Sequence, residues 1–178
     1  MITPDYARTM ARYNRWQNQS LVAAADTLTD ATRWQDGGAA FRSIAETLNH
    51  VLWDDRVWLA RMQGDASTAA KIDSRHPYTD TPRAWASYKT ARAACDGSIV
   101  DWADTLTDAD LARPTRWKRG SEPVETALGF NLVHLFTHQT HHRGQVHALL
   151  TRAGATPEPT DLQMLHILHP GTLPVSSG

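Results

Sequence analysis

The sequence predicts an all-α protein built as an antiparallel four-helix bundle, on three observations. Apolar residues recur at spacings of three and four through four long segments, as they do on one face of an α-helix. Clusters of glycine, proline and aspartate separate these segments, and the alternating pattern of a strand is nearly absent. A chain of 178 residues, 41% of them hydrophobic, can bury one core. We therefore expect a single domain over residues 1–170 and a flexible tail over 171–178.

The first two long helices are predicted from their terminal residues. Helix one should begin at Thr3, because a proline follows in the first turn, where its missing N–H costs nothing, and it should end near Leu28. Helix two should begin at Ser43, since Ser43 and Glu46 match a capping box in which the glutamate reaches back to the cap residue. Gly64 marks its end.

The other two long helices follow from the same kind of signal. Helix three should begin at the Thr81–Pro82 pair and reach about Leu106. Helix four should run from about Val124 to Ala153, because Gly154 supplies the residue that commonly follows a helix in the left-handed conformation.

The connections are predicted to carry little regular structure. The 107–122 segment has too many helix breakers for a helix and is expected to contain a short, irregular hairpin around Gly120. It and the 65–80 segment are longer than a plain up-and-down bundle needs, so one or both should cross the end of the bundle. A short C-terminal helix capped by Asp161 is expected in DLQMLHIL.

The composition argues against several classes of function. Lys and Arg number 18 against 19 Asp and Glu, for a net charge of −1, so nothing in the charge favours nucleic acid as a partner. No run approaches the roughly 18 apolar residues of a membrane span, and the N-terminus lacks a signal-peptide core, so no membrane partner is expected. Cys95 is the only cysteine, which fits the cytoplasm and excludes an internal disulfide or a thiolate cluster. Cys95 itself is predicted to pack rather than to react.

Five of the nine histidines fall in HLFTHQTHHRGQVH at 134–147. On a helix, residues four apart differ by only about 40° in direction, so His138 and His142 share a face. This HxxxH spacing allows two imidazoles to bind one ion. His134 lies about 40° to the other side of His138, and His147 points about 180° away.

The pair by itself leaves two interpretations open, half of a metal site or histidines hydrogen-bonded in a core. Gln139 stands where an HExxH zinc protease has its glutamate, so that class loses its general base. Helix two offers His50 as a third ligand or, alternatively, as a core histidine paired with a carboxylate. Three neutral imidazoles and a water would form an open site of the catalytic kind, suited to Zn, Ni, Cu or Fe.

Four segments of the chain resemble characteristic blocks of one protein family. YNRWQN at 13–18 resembles its opening signature, and LNHVLWDDRVWLARMQG at 48–64 resembles its second-helix block. HLFTHQTHHRGQV at 134–146 resembles its best-known motif, and GATPEPTDL at 154–162 resembles its closing loop. The segments occur in the right order and span nearly the whole chain. By these motifs the chain is similar to the DinB family, the DinB/YfiT-like metal-binding bundles.

The resemblance implies a four-helix bundle with a long crossover connection, commonly dimeric, that holds a divalent transition metal such as Zn, Ni or Fe. Carried over by position, the ligands are His50, His138 and His142. His134 and His141 do not match family ligands, although His134 is a candidate for a supporting contact.

Relatives in the superfamily include thiol S-transferases that use a low-molecular-weight thiol. The expected function is therefore a metal-dependent thiol S-transferase or hydrolase acting on a small-molecule substrate. The alternative is a non-catalytic metal-binding stress-response protein in which the ion is structural. The two differ in whether a fourth protein ligand closes the site, for which His134, Asp54 and Glu46 are the candidates. No catalytic residue is assigned.

Other polar residues near these positions are candidates for supporting roles. Asp54 lies one turn after His50 and can accept the second N–H of a ligand imidazole. Asp55 matches the family pattern, but its helical phase turns it further from the site. Gln145 and Asn131 lie on the metal-facing side and can orient water or substrate. Each is alternatively a satisfied polar group of the interior.

The outer side of helix four bears on assembly. Phe136 and Val133 are apolar and lie away from the metal-binding face, and Gly144 would let another helix approach closely. These features predict a homodimer, or else a neighbouring helix of the same bundle. His147 and Arg143 are assigned to the outer face, facing solvent or another chain.

Overall fold

The computed structural model describes residues 1–73 and 84–172, which form a mostly helical fold with one small two-stranded sheet. The elements, in chain order, are α1 (Pro4–Asp26), α2 (Asp30–Trp34), α3 (Ile44–Gln63), α4 (Ala66–Asp73), α5 (Trp85–Thr105), α6 (Asp108–Ala112), β1 (Pro114–Arg119), β2 (Glu122–Ala127), α7 (Leu128–Arg152) and α8 (Leu162–Leu168). The expected start of helix three at Thr81–Pro82 and most of the expected tail, 173–178, lie outside the described residues.

The four long helices share one hydrophobic core. α1 packs against α5 and α7, while α3 packs against α7 and α5. Leu52, Ile99, Leu132 and Leu135 are at most 1% exposed at their centre. Burying each such side chain contributes about 1.5–3 kcal/mol. None of the described helices is both long and apolar enough to cross a bilayer. The packing makes α3 and α7 direct neighbours, which decides where their histidines meet.

The N-terminus of α3 is built differently from a full capping box. Ser43 is the N-cap, and its hydroxyl accepts a hydrogen bond of 3.1 Å from the backbone N–H of Glu46. The Glu46 carboxylate accepts a hydrogen bond from that hydroxyl, whereas the Ser43 N–H donates to the Phe41 carbonyl at 2.7 Å. The predicted end is confirmed, because Gly64 terminates the helix with φ of 82°.

Helices α1 and α5 end close to the predicted positions. Thr3 caps α1 by accepting a hydrogen bond from the backbone N–H of Tyr6 at 3.2 Å, and the helix ends at Asp26, two residues before the expected Leu28. α5 ends at Thr105, one residue before Leu106.

The hairpin around Gly120 is regular rather than irregular. β1 and β2 pair antiparallel, with Trp117 opposite Val124, and Gly120 in the turn has φ of 62°. Because β2 extends to residue 127, α7 begins at Leu128 rather than near Val124. The expectation of a chain almost without strands was therefore wrong for this segment. Inward and outward side chains alternate in β1, which is the sequence signal of a strand. The helix-breaking residues around the strand obscured this signal.

Short helices occupy parts of the connections that the sequence left unassigned. α4 packs against α3, where the indole N–H of Trp53 donates to the Ile72 carbonyl at 3.2 Å. α6 opens with a complete capping box formed by Thr107 and Asp110, a signal that is visible in the sequence. Asp161 is the N-cap of α8, as predicted, but its side chain makes no capping hydrogen bond.

Candidate metal centre

Three histidines from two helices meet at one point. His50 comes from α3, while His138 and His142 lie one turn apart on α7. One ring nitrogen from each lies within 4.8 Å of the other two, and the Nε2 atoms of His50 and His138 are 3.2 Å apart. Two facing imidazole nitrogens at this distance repel through their lone pairs unless a proton or a cation lies between them. The donor set of three imidazoles therefore fits a divalent transition metal.

Burial keeps two of these imidazoles neutral. His50 is 9% exposed and His142 is 6% exposed. Burial, together with the neighbouring His142 and His138, lowers the pKa of His50 to about 4. Burial likewise lowers the pKa of His142. Metal ligands must be deprotonated to bind, so both rings are in the required state at neutral pH.

The third imidazole has a carboxylate behind it. Asp54 Oδ2 lies 3.0 Å from Nδ1 of His138. Burial works to lower the pKa of His138, but the Asp54 carboxylate outweighs it, and the pKa is raised. A proton held on Nδ1 toward Asp54 leaves Nε2 directed at the other two histidines. The expected contact of Asp54 with one of the three candidate imidazoles is thus present, at His138.

Gln145 supports His142 in the same manner. Its Oε1 lies 2.8 Å from Nδ1 of His142, and its Nε2 lies 3.2 Å from Nε2 of His141. The amide therefore orients the ligand candidate, whereas the sequence suggested an action on water or substrate. Nδ1 of His50 is buried and has no hydrogen-bond partner among the described residues.

Phe41 covers the site and was missed by the sequence analysis. Its ring stacks on His50 with centroids 3.8 Å apart and planes at 19°, and it meets His142 edge-on at 5.3 Å. Trp53 lies 6.0 Å from the His50 ring. Phe41 belongs to the loop before α3, where Arg42 has the left-handed φ of 64°. No motif marks this loop in the sequence, so only the folded chain reveals the contact.

None of the three candidate closing ligands joins the cluster in the described part of the chain. The His134 ring packs against Trp58 with centroids 4.8 Å apart, Asp54 lies behind His138, and Glu46 bonds to the Ser43 hydroxyl. Among the described residues, no other His, Cys, Asp or Glu lies close enough to join the three histidines.

One protein family matches the chain over nearly its whole length. The model of the DinB family matches residues 1–171 of the chain. The chain belongs to the DinB family. It is 24% identical over 160 residues to Protein DinB of Bacillus subtilis strain 168, a match that covers 88% of this chain and 91% of that protein. A solved DinB-like protein from Bacillus cereus has a similar fold, with a TM-score of 0.58 at 20% identity, over 81% of this chain and 90% of the other.

Two polar candidates in this DinB-family chain have structural partners. Asp55 is fully buried, and its carboxylate lies 2.7 Å from the guanidinium of Arg92. Asn131 accepts a hydrogen bond of 2.8 Å from the Thr126 hydroxyl, which ties the start of α7 to β2. The ion pair of Asp55 fits the alternative of an interior polar group with a structural partner, whereas Nδ2 of Asn131 is buried without a hydrogen-bond partner among the described residues.

The placement of Arg143 on an outer face was wrong. Arg143 is 5% exposed and donates hydrogen bonds to Asn14 and Gln139. Its guanidinium also lies 5.4 Å from the centre of the Tyr13 ring. Helix α7 packs against both α1 and α3, so much more of its circumference is buried than a single core-facing stripe would be. His147, assigned to the same outer face, is half-buried.

Phe136 and Cys95 are interior residues of this DinB-family chain. Phe136 is 1% exposed and meets Tyr6 of α1 edge-on, with centroids 6.5 Å apart. The alternative of a neighbouring helix in the same chain therefore explains it, and it supplies no outer surface. Cys95 is buried, and burial raises the pKa of its thiol to about 12. The prediction that it packs rather than reacts agrees with both observations.

Proposed function

We propose that this DinB-family protein binds one divalent metal ion, Zn, Ni or Fe, through His50, His138 and His142 and uses it as an enzyme. The reaction class is thiol S-transfer or hydrolysis on a small-molecule substrate, and in the transfer a low-molecular-weight thiol is the cosubstrate. One observation carries the proposal: three largely buried imidazoles converge, and no fourth protein ligand joins them in the described chain. A bound metal of this kind lowers the pKa of a thiol or water that it binds.

The chain's own contribution is to hold three nitrogen donors in place. The Asp54 carboxylate lies 3.0 Å from Nδ1 of His138, and Gln145 Oε1 lies 2.8 Å from Nδ1 of His142. A proton on either Nδ1 leaves Nε2 of that ring as the metal donor. Phe41 lies flat on the His50 ring and keeps water from that face. Fixed donors in a partly dry site reduce the reorganisation that binding or reaction requires.

The second candidate is a non-catalytic metal-binding stress-response protein. The observation that favours it is the position of the three nitrogens across the contact between α3 and α7, where an ion would tie the two helices together. The two functions differ in whether an added thiol reaches the metal. With cobalt(II) in the site, a change in the visible spectrum on adding a thiol supports the enzyme, and an unchanged spectrum supports the structural role.

The metal is tested by elemental analysis of protein purified without chelators. We expect about one ion per chain in the wild type and nearly none in His138→Ala, since two imidazoles are a weak site. The matched control is His141→Ala, which removes an exposed imidazole from the same motif and should leave the ion in place. Equal metal content in His138→Ala and the wild type, or none in either, would overturn the proposal.

The larger-scale architecture is proposed from the helix contacts. The pairing of α1 with α5 and α7, and of α3 with the same two helices, supports an antiparallel four-helix bundle whose long connections cross its end. We further propose one domain over residues 1–170 with a flexible tail over 171–178. We also propose a cytoplasmic location. We propose a homodimer in solution, and light scattering coupled to gel filtration tests this directly.

A further inference from the structure

A groove of about 960 Å³ lies between α4 and the β1–β2 hairpin. Ala69 and Ala70 of α4 form one wall, and Trp117 and Val124 of the hairpin form the other. Its volume is at the upper end of the range usual for small-molecule sites, about 300–1,000 Å³. None of the three histidines of the candidate metal centre lines it. The groove is therefore a separate feature that needs its own explanation.

Two of the cations that line the groove are neutralised. Arg61 lies 2.8 Å from Asp73, and Arg116 lies 2.5 Å from Glu125 across the hairpin. All four side chains line the groove, so these two pairs contribute no net charge to it.

Arg113 and Lys118 are two further cations that line the groove. Arg113 donates to the Met62 carbonyl at 3.1 Å, and no acidic side chain in the described residues pairs with it or with Lys118. The groove thus carries two surplus positive charges in a chain whose overall net charge is −1. A concave surface with one sign of charge concentrates ligands of the opposite sign.

The hairpin wall presents a fixed apolar surface beside these charges. The guanidinium of Arg61 lies over Trp117 at 4.8 Å and over Trp58 at 4.9 Å. The two indole rings meet edge-on with centroids 5.2 Å apart. Because the cation lies between the two rings, it keeps Trp117 in one position. The cost of immobilising this side chain when a ligand binds is therefore small. The alanines opposite leave room for a flat group.

We propose that this groove binds a small organic anion with a flat apolar body, such as an aromatic carboxylate or sulfonate. Arg113 and Lys118 bind the anionic group, and the flat body lies between Trp117 and the alanine face of α4. This proposal does not depend on metal chemistry, so its test is independent of the test of the proposed function.

The test uses 8-anilinonaphthalene-1-sulfonate, a fluorescent aromatic sulfonate, titrated into the full chain after chelator treatment. We expect one site per chain, about tenfold weaker in Lys118→Glu because the charge facing the sulfonate is reversed. The matched control is Arg119→Glu, which makes the same charge change at the next residue, exposed but outside the groove. It should weaken binding by less than about twofold, through the general field alone.

A second pair of variants tests whether the ligand occupies the groove by filling the groove with a large side chain. This pair tests the proposal even if Lys118→Glu fails to fold. Ala70→Trp fills the groove and should abolish binding, whereas Ser67→Trp adds the same ring to an exposed position of α4 outside the groove and should not. Circular dichroism verifies that both variants keep the wild-type helix content. No binding to the wild type, equal effects within both pairs, or binding seen only when metal is present would overturn the proposal.

Discussion

At the residue scale, the candidate centre depends on which nitrogen of each imidazole carries the proton. Asp54 and Gln145 both face an Nδ1 atom, of His138 and His142 respectively, and each contact leaves the Nε2 atom of the same ring as the donor. Neither support is a ligand itself. Removing either should therefore weaken metal binding without removing a donor.

Asp54→Asn tests this support for His138. The amide has the shape of the carboxylate but not its charge, so the pKa of His138 should fall and its Nε2 should become a poorer donor. We expect metal affinity to fall by about 10- to 100-fold, measured by competition with a chromogenic chelator. Asp101→Asn, at an exposed carboxylate of α5, is the control and should bind as the wild type does. Unchanged affinity in Asp54→Asn would show that the contact is not used.

His50 predicts how the stability of the metal-free protein depends on pH. Its pKa is about 4 in the folded chain against about 6.5 when unfolded, so the unfolded state binds more protons between these values. The free energy of unfolding should therefore fall as the pH falls from about 6.5 toward 4. His142 shifts in the same direction and His138 in the opposite one, so only a variant isolates His50.

The measurement compares urea unfolding of chelator-treated wild type and His50→Asn at pH 7 and 4.5. The loss of stability on acidification should be smaller in the variant by on the order of 1 kcal/mol. His166→Asn, at an exposed position of α8, should lose as much as the wild type. Parallel curves for all three proteins would contradict the assignment.

At the scale of elements, the ends of α3 fix the position of His50. Ser43 caps one end, and Gly64 ends the other with φ of 82°, a conformation that strains any residue with a Cβ. The helix therefore has the same limits in the sequence prediction and in the structure. A defined helix places His50 at a defined height against His138.

Two glycines test this view in opposite directions. Gly64→Ala should lower the free energy of unfolding by about 1 kcal/mol, because alanine is strained at positive φ. Gly97→Ala lies within α5 with open space around the new Cβ, and should raise it by about 0.5–1 kcal/mol through higher helix propensity. Urea unfolding measures both. Equal effects of the two substitutions would contradict the role of Gly64 as the helix terminus.

At the scale of the whole molecule, a buried ionic network joins three of the long helices. Arg92 of α5 lies 2.7 Å from Asp55 of α3 and 2.9 Å from Asp96. Asn18 of α1 donates to Asp96 at 2.8 Å. All four side chains are at most 3% exposed. Burial and pairing together hold the three helices in one arrangement, since any shift would leave a charge unpaired in the core.

Arg92→Met tests this network. Two carboxylates would remain buried without a cation, and the free energy of unfolding should fall by about 3–5 kcal/mol. The control is Arg12→Met, which breaks the more exposed pair between Arg12 and Asp104 and should cost less than about 1 kcal/mol. Thermal and urea unfolding measure both, and an unfolded Arg92→Met beside a folded Arg12→Met agrees with the prediction. Similar stability of the two variants would contradict it.

Much of the fold and of the site could be predicted because the relevant signals are local. Thr3, Ser43, Gly64 and Gly154 mark helix ends through the conformations and hydrogen bonds that these residue types favour, and all four occupy those positions in the structure. The spacing of His138 and His142 likewise places them on one face of a helix whatever packs against it. Membership of the DinB family was also recognised from short motifs, and the family match over residues 1–171 confirms it.

The tertiary structure alone decided what lies around these elements. Phe41 reaches the His50 ring from a loop without a motif, and Arg143 is buried because α7 packs against two helices. The groove beside Trp117 exists because α4 and the hairpin, distant in sequence, lie opposite each other. Periodicity within one helix identifies a buried face, but it carries no information about how many neighbours the helix has. Contacts between distant segments depend on the packing of the whole chain. Local sequence patterns, which were the basis of the predictions, therefore do not predict them.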